Sequence, residues 1–528
     1  MSSESRSSTP TAVLATAAEV RVAVRNDNAN GDGSSYREIL KSSALVGGSS
    51  LINVVIGIVR TKALAVLLGP AGLGLMGAYL LIVELSRNVA QMGVNSSGVR
   101  QIAECVGASD QARTSRTAAV LRGTSFVGAV IGGAALWLLA PLIAQFTFGE
   151  SSHASDVALL SGVVFFGLIA GGQVALVQGM RRIADLSKIG ILGSAFGSIA
   201  SVALIYYFRE RGIIASMIAV AAVTVVTGWW YRRKIRLPHA RLTIAQALSE
   251  SSALLKLGLA FLGSGLLTLG AAYAVRILLM RRSGLEAAGL YQAAWTLGGL
   301  YVGFILQAMG TDFYPRLAAV ANRDAECNRL VNEQATVSLL LAGPGVIATL
   351  TFASVVITLM YSARFDAAVD TLRWICLGMA MRVITWPMGY ILVAKSKQSL
   401  FFGTDCAWAI VNVLLTWLCV QQFGAVGAGI AFFGSYLFHG VMLYPIVRSL
   451  SGFRWSPDNL RIGLMFVTSI SLVFVAFETL SPVVATCIGA GATLAATVLS
   501  ACALLRLGAP AHVPKPLLRL LRLRGPHP

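Results

Sequence analysis

Eight cationic side chains fall inside stretches of this 528-residue chain that are otherwise apolar enough to lie in a membrane: Arg60, Lys62, Arg87, Arg122, Lys256, Arg276, Arg373 and Arg382. At the centre of a membrane helix a cation costs about 2.5–3.5 kcal/mol or more unless it is paired, hydrated or close to an end. Arg122 and Lys256 lie close enough to span ends for their long side chains to reach the interface. Arg60, Arg87, Arg276 and Arg382 lie deeper, and Glu84 and Asp405 are the only carboxylates at comparable depth. Positive charge held at that depth without matching acid implies a water-filled cavity shaped for an anion. Such a cavity is the equipment of transport.

The second apolar span carries the densest chemistry. Glu84, Arg87, Asn88, Gln91 and Asn95 recur at i, i+3, i+4, i+7 and i+11, the spacing of one helix face. A lipid-facing surface does not carry such a stripe. It either lines the cavity or makes a polar helix contact in which Glu84 and Arg87 pair with each other. Tyr291, Gln292, Trp295 and Gln307 form a weaker, more aromatic counterpart. Rings suit sugar faces, while an interfacial aromatic belt accounts equally for Tyr291.

The elements that must position these residues are membrane helices. Hydrophobic residues make up 56% of the chain and charged ones 12%, with a mean hydropathy of +0.73, which excludes a soluble domain. Stretches long enough to cross about 30 Å of hydrocarbon run 43–68, 73–95, 117–145, 156–180, 186–208, 212–231, 253–280, 286–309, 335–360, 367–394, 399–420, 424–447, 461–480 and 482–505. Residues 1–40 are rich in Ser, Asn and Ala and lack the apolar core of a signal peptide, which predicts a disordered cytoplasmic tail.

Loop charge supports this count of fourteen. With both termini cytoplasmic, 29 Lys and Arg fall inside and five outside, and the eight within spans complete the 42. One span missed or invented would destroy that alternation. The same distribution explains the net charge of +19 without nucleic acid, because the charge is spread over every cytoplasmic loop. The cationic, leucine-rich segment 517–524 is expected to lie on the anionic inner leaflet.

An internal repeat divides the chain. Arg60 precedes Gly69-Pro70-Ala71-Gly72-Leu73-Gly74-Leu75, and Arg276 precedes Gly284-Leu285-Glu286-Ala287-Ala288-Gly289-Leu290, an offset of about 215 residues. Basic turns at Arg181-Arg182 and Lys395-Ser396-Lys397 repeat likewise, and so do glycine turns at Gly212 and Gly424. Six spans per half is an even number, so the halves are parallel repeats about an axis along the membrane normal. The expected architecture is an all-α polytopic membrane protein: about fourteen transmembrane helices, in two parallel six-helix repeats around a central cavity plus a C-terminal helix pair. Its expected parts are the tail 1–40, bundles 41–236 and 237–450, the extra pair 451–506 and a basic cytoplasmic tail 507–528.

Other features carry less. Gly343-Pro344-Gly345 and Trp386-Pro387-Met388-Gly389 predict kinks that serve either as hinges or as packing devices. Gly69 to Gly74 lacks the lysine and strand–helix context of a phosphate loop and reads as a tight outer turn. Seven scattered cysteines and five histidines make neither a disulfide framework nor a metal site, and no cofactor is expected. Outer loops of at most about a dozen residues are too short to build an enzyme's active site.

Gly69 to Gly77, Tyr273 to Leu279, Gly289-Leu290-Tyr291-Gln292, Tyr314-Pro315-Arg316-Leu317 and Gly389 to Lys395, taken in order over about 40–450, resemble Wzx-type O-antigen and polysaccharide flippases. Those belong to the multidrug/oligosaccharidyl-lipid/polysaccharide exporter superfamily. The chain departs from them in its N-terminal tail and in spans thirteen and fourteen. The resemblance implies a bacterial inner-membrane protein that moves undecaprenyl-pyrophosphate-linked oligosaccharide to the outer leaflet, with polysaccharide polymerase machinery as a further partner. A cationic cavity would offset the desolvation of a pyrophosphate. Arg60, Arg87, Asn88, Gln91, Arg276, Trp295 and Arg382 are then the candidate substrate residues. Glu84 and Asp405 are the candidates for ion coupling, because burial favours protonation of a carboxylate. A peptidoglycan-precursor flippase has the same physics. A cation-coupled drug antiporter would want acidic cavity residues, and the excess of buried Arg argues against it.

Overall fold

The computed structural model describes the backbone of residues 11–238 and 244–507, and side chains from Gly48 onward except 244–249, 251, 253–262, 264, 308, 311 and 312. Its helices, in order, are α1 (Thr11–Gln91), α2 (Val94–Gly107), α3 (Gln111–Leu138), α4 (Ala140–Phe148), α5 (Ala154–Gly179), α6 (Ile183–Phe208) and α7 (Gly212–Arg232). They continue with α8 (Ile244–Ala319), α9 (Asp324–Thr351), α10 (Ala353–Met360), α11 (Ala368–Ala394), α12 (Gln398–Ser451), α13 (Pro457–Thr479) and α14 (Pro482–Leu507). The basic tail predicted for 507–528 lies almost wholly outside the described residues, and so does the side chain of Lys256.

Among the described residues nine helical stretches are long and apolar enough to cross a membrane, and three of them are double length: Gly48–Gln91, Ile183–Arg232 and Gln398–Ser451. At 1.5 Å per residue, the 44 residues of the first extend about 66 Å, twice the hydrocarbon thickness. Each is interrupted midway, at Gly69, at Arg209–Arg211 and at Gly424. The three doublings raise the count to twelve, and the two arms of α8 on either side of Gly284 bring it to the expected fourteen. The assigned helix α1 begins at Thr11, within the tail for which the sequence predicts disorder, but only Gly48 onward qualifies as a span.

The backbone itself repeats. Gly69 (φ 68°, ψ −174°) matches Gly284 (φ 85°, ψ 174°), 215 residues later. Arg209 (φ 54°, ψ −132°) matches Gly424 (φ 55°, ψ −132°), again 215 apart. Arg181 (φ 55°) matches Ser396 (φ 57°) at the same offset. Positive φ is costly for residues with a Cβ, so recurrence at Arg209, Arg181 and Ser396 marks turns that the two-bundle architecture requires. The breaks at Leu139, between α3 and α4, and at Phe352, between α9 and α10, are 213 apart.

The bundles are locked together at the end that carries Gly69 and Gly284. A Cβ on Gly74 would collide with the Leu285 carbonyl, and one on Gly289 with the Pro70 carbonyl, so the two helices cross backbone to backbone. Arg281 donates to the Gln145 carbonyl (2.7 Å) and to that of Phe146, Thr147 meets Tyr273, and Lys62 donates to the Thr358 carbonyl (2.7 Å). The glycine motif read as an outer turn is therefore also the seam between the two halves.

Helices α13 and α14 dock on α9. The Phe466 ring sits against Gly343, and the Thr351 side chain fills the space beside Gly489. Asn459 donates through Nδ2 to the Asn332 carbonyl (2.8 Å), while the Ser456 N–H donates to Asn332 Oδ1 (2.7 Å). Helices α9 and α11 run on through Pro344 and Pro387; the ninth span is interrupted at Phe352 instead. Gly345 admits the Tyr301 ring, whose hydroxyl donates to the Leu341 carbonyl (2.7 Å). This favours packing over a hinge at Pro344. Phe466→Ala is expected to cost about 3–5 kcal/mol and to open α13–α14 to limited proteolysis; unaltered cleavage would contradict the docking role.

Candidate functional site

The stripe on the second arm of α1 faces the other bundle. Glu84, Arg87, Asn88 and Gln91, with Gly77, line a cavity of about 400 Å³ that Arg276 and Gln292 of α8 close from the opposite side. Both halves of the repeat thus contribute one arginine. Asn95 does not belong to this face: the helix ends at Gln91, Gly93 turns left-handed (φ 70°), and Asn95 continues on α2. That connecting helix was missed in the sequence because its Ser- and Gly-rich start resembles a loop. The spacing of its buried face, Val94, Ser97, Gly98, Ile102 and Cys105, is the signal that reveals it.

Arg276 is 8% exposed and donates to Gln292 Oε1, whose own Nε2 donates to Thr296 Oγ1 (3.1 Å). Arg87 donates through Nη2 to the Gly167 carbonyl (3.3 Å). A Cβ at Gly167 would lie 2.9 Å from Arg87 Nε, so the glycine makes room for the guanidinium. A Cβ at Gly77 would approach Gln292 Oε1 to 3.4 Å. Gly77, Gly167 and the carbonyl of Gly167 are site elements that residue chemistry alone does not flag.

Glu84 lies within electrostatic reach of both arginines but forms an ion pair with neither among the described residues. Its face is the cavity, which sets aside the alternative of a self-satisfied Glu84–Arg87 pair. The Nε atoms of Arg87 and Arg276 are buried with no hydrogen-bond partner among the described residues. An unpaired buried donor costs about 1–3 kcal/mol, more when charged. An oxyanion entering here would find two guanidinium forks, the carboxamides of Asn88 and Gln91, and one carboxylate at hand.

The remaining predicted residues are elsewhere. Arg60 lines a second cavity of about 480 Å³ inside the first bundle, with Asn53, Ser187, Ser194 and Thr224. Its Nε and Asn53 Oδ1 are likewise buried with no hydrogen-bond partner among the described residues. Trp295 lies in an aromatic row, stacked on Tyr291 (6.0 Å) and edge-on to Phe432 (5.0 Å). Tyr291 is 6% exposed, so it is not part of an interfacial belt. Arg382 and Asp405 belong to the second bundle, both within electrostatic reach of Tyr436. Arg373, another of the eight cations within spans, binds Asp370 at 3.0 Å and lies over the Phe477 ring at 4.0 Å.

Two parallel bundles of membrane-length helices with an appended helix pair, closed at the Gly69 end over a cationic cavity, define a multi-pass membrane protein. Solved structures share this fold: "Lipid II flippase MurJ, inward closed conformation" superposes with a TM-score of 0.61 at 13% identity, covering 87% of this chain and 98% of that one. An inward-facing multidrug resistance MATE family transporter of the MOP superfamily gives a TM-score of 0.60 at 15% identity, covering 75% and 95%. The chain belongs to the Polysaccharide biosynthesis protein family, which matches residues 63–370. It is 24% identical over 415 residues to the "Lipid III flippase" of Escherichia coli (strain K12) and to that of Shigella flexneri, over 76% of this chain and 95% of each relative.

Proposed function

We propose that this protein flips an undecaprenyl-pyrophosphate-linked oligosaccharide, an O-antigen or exopolysaccharide repeat unit, from the cytoplasmic to the periplasmic leaflet by alternating access. The observation that carries the reading is the pair Arg87 and Arg276. They come from opposite bundles, face one cavity, and neither is neutralised by an ion pair among the described residues. A pyrophosphate presents several acceptor oxygens, and guanidinium forks match them in charge and geometry. The glycan would occupy the carboxamide-lined face of Asn88 and Gln91, with polymerase machinery as the consumer of the product. The charge asymmetry of the loops supports both termini being cytoplasmic, and the similarity to bacterial flippases supports placement in the inner membrane.

The test follows the lipid-linked glycan in a strain lacking the protein, using an impermeant probe on spheroplasts. Glycan is expected to accumulate on the inner face and to return outward when the gene is restored. Normal outward exposure without a redundant flippase would move the assignment to a peptidoglycan precursor or a drug substrate.

For ion coupling, the geometry favours Glu84 over Asp405, because Glu84 shares the cavity with both arginines. Glu84→Gln is expected to remove the dependence of transport on the proton gradient, while Asp405→Asn retains it. Flipping driven equally well by the gradient in both variants would eliminate Glu84 as the coupling group.

A further inference from the structure

A second group of unpaired cations lies away from the central cavity, at the arginine-rich end of the first bundle. Arg122 of α3 and Arg232, the last residue of α7, line two contiguous cavities of about 220 Å³ each, which also share Leu176 of α5. Arg233 closes one of them, its guanidinium 3.9 Å from the Trp230 ring centroid. No carboxylate lines either cavity, and among the described residues none of the three arginines is ion-paired. Arg232 Nε, Gln173 Oε1 and Ser125 Oγ are buried there with no hydrogen-bond partner among the described residues. The Gln173 carboxamide can present its NH₂ group equally well, since oxygen and nitrogen differ only by a flip. Packing like charges together costs energy that a bound counter-anion offsets.

We infer that Arg122 and Arg232, supported by Arg233, Gln173 and Ser125, form a binding site for a phosphate oxyanion, supplied by the phosphodiester headgroup of an anionic phospholipid. The site is flanked by apolar side chains, Phe126, Ile169 and Leu176, that suit acyl chains. Basic pockets between helices on the cytoplasmic side are where such headgroups are held. It shares no residue with the central cavity, and its test does not depend on the transport reading.

The test is native mass spectrometry of the full-length protein in detergent titrated with phosphatidylglycerol or phosphatidylcholine. The wild type is expected to retain phosphatidylglycerol selectively. Arg122→Gln with Arg232→Gln should weaken that retention about thirtyfold, the scale of two basic residues acting on an anionic lipid. Arg122→Lys with Arg232→Lys should restore most of it, which separates charge from misfolding. Inorganic phosphate is the competing arm: no displacement at millimolar concentration supports the lipid headgroup, and stoichiometric displacement assigns the site to soluble phosphate instead. Equal retention of both lipids by the wild type, or of phosphatidylglycerol by the glutamine variant, would overturn the inference.

Discussion

Arg276→Ala is expected to reduce flipping by about a hundredfold or more at equal membrane abundance, and Arg87→Ala by a comparable factor. Truncating one partner of a desolvated charged contact costs roughly 2–5 kcal/mol, and each arginine faces the cavity with a buried Nε that no described protein group satisfies. Arg276→Lys should recover only part of the loss, because an ammonium cannot make the paired contacts of a guanidinium. Gln292→Ala should act through Arg276, whose fork it holds, so the double variant should be less than additive. Arg60→Ala is expected to fall short of these effects, since Arg60 opens into a separate cavity within one bundle. Arg122→Ala should transport near the wild-type rate. The leaflet assay, with protein quantified in the membrane, decides it. Equal losses at Arg276, Arg60 and Arg122 would mean that charge as such is required, and the central anion site would be abandoned.

The spans were legible because a membrane-crossing helix needs about twenty apolar residues, and length alone separates it from a loop. The repeat was legible through glycines, and the reason is physical. Gly69 and Gly284 adopt left-handed φ, and Gly74 and Gly289 cross where no Cβ fits. The polar stripe at Glu84, Arg87, Asn88 and Gln91 was legible because helical spacing puts these residues on one face whatever packs around it. What that spacing cannot give is which helix each face meets. Arg60 and Arg87 lie on consecutive arms, yet the first turns toward α6 and α7 and the second toward α8. Trp295 and Arg382 failed to join the cavity for the same reason: partners such as Phe432 and Tyr436 lie well over a hundred or some fifty residues away in sequence. The break after Gln91 was hidden because an uninterrupted polar periodicity ran through it to Asn95.

Replacing Gly289 with alanine is expected to prop the bundles apart at the Gly69 end. The added Cβ falls on the Pro70 carbonyl, and backbone cannot swing aside as a flexible side chain can. Overpacking of this kind costs about 1–3 kcal/mol, which converts to a shift of roughly five- to 160-fold in the balance between closed and splayed forms. Gly74→Ala meets the Leu285 carbonyl across the same crossing and should behave alike. Spin labels at Ser151 and Arg282, one on each bundle near this end, would report the change as loss of the short distance. An alternating-access cycle needs this seam to close in every turnover, so transport should fall with the closed population. Gly303→Ala is the control, because its Cβ would meet nothing within 4 Å. A closed distance distribution in both seam variants, with transport intact, would show that the crossing is not a gate and that its glycines serve folding alone. Short-distance loss that tracks loss of flipping would instead make the motif carrying the family resemblance the moving contact of the transport cycle.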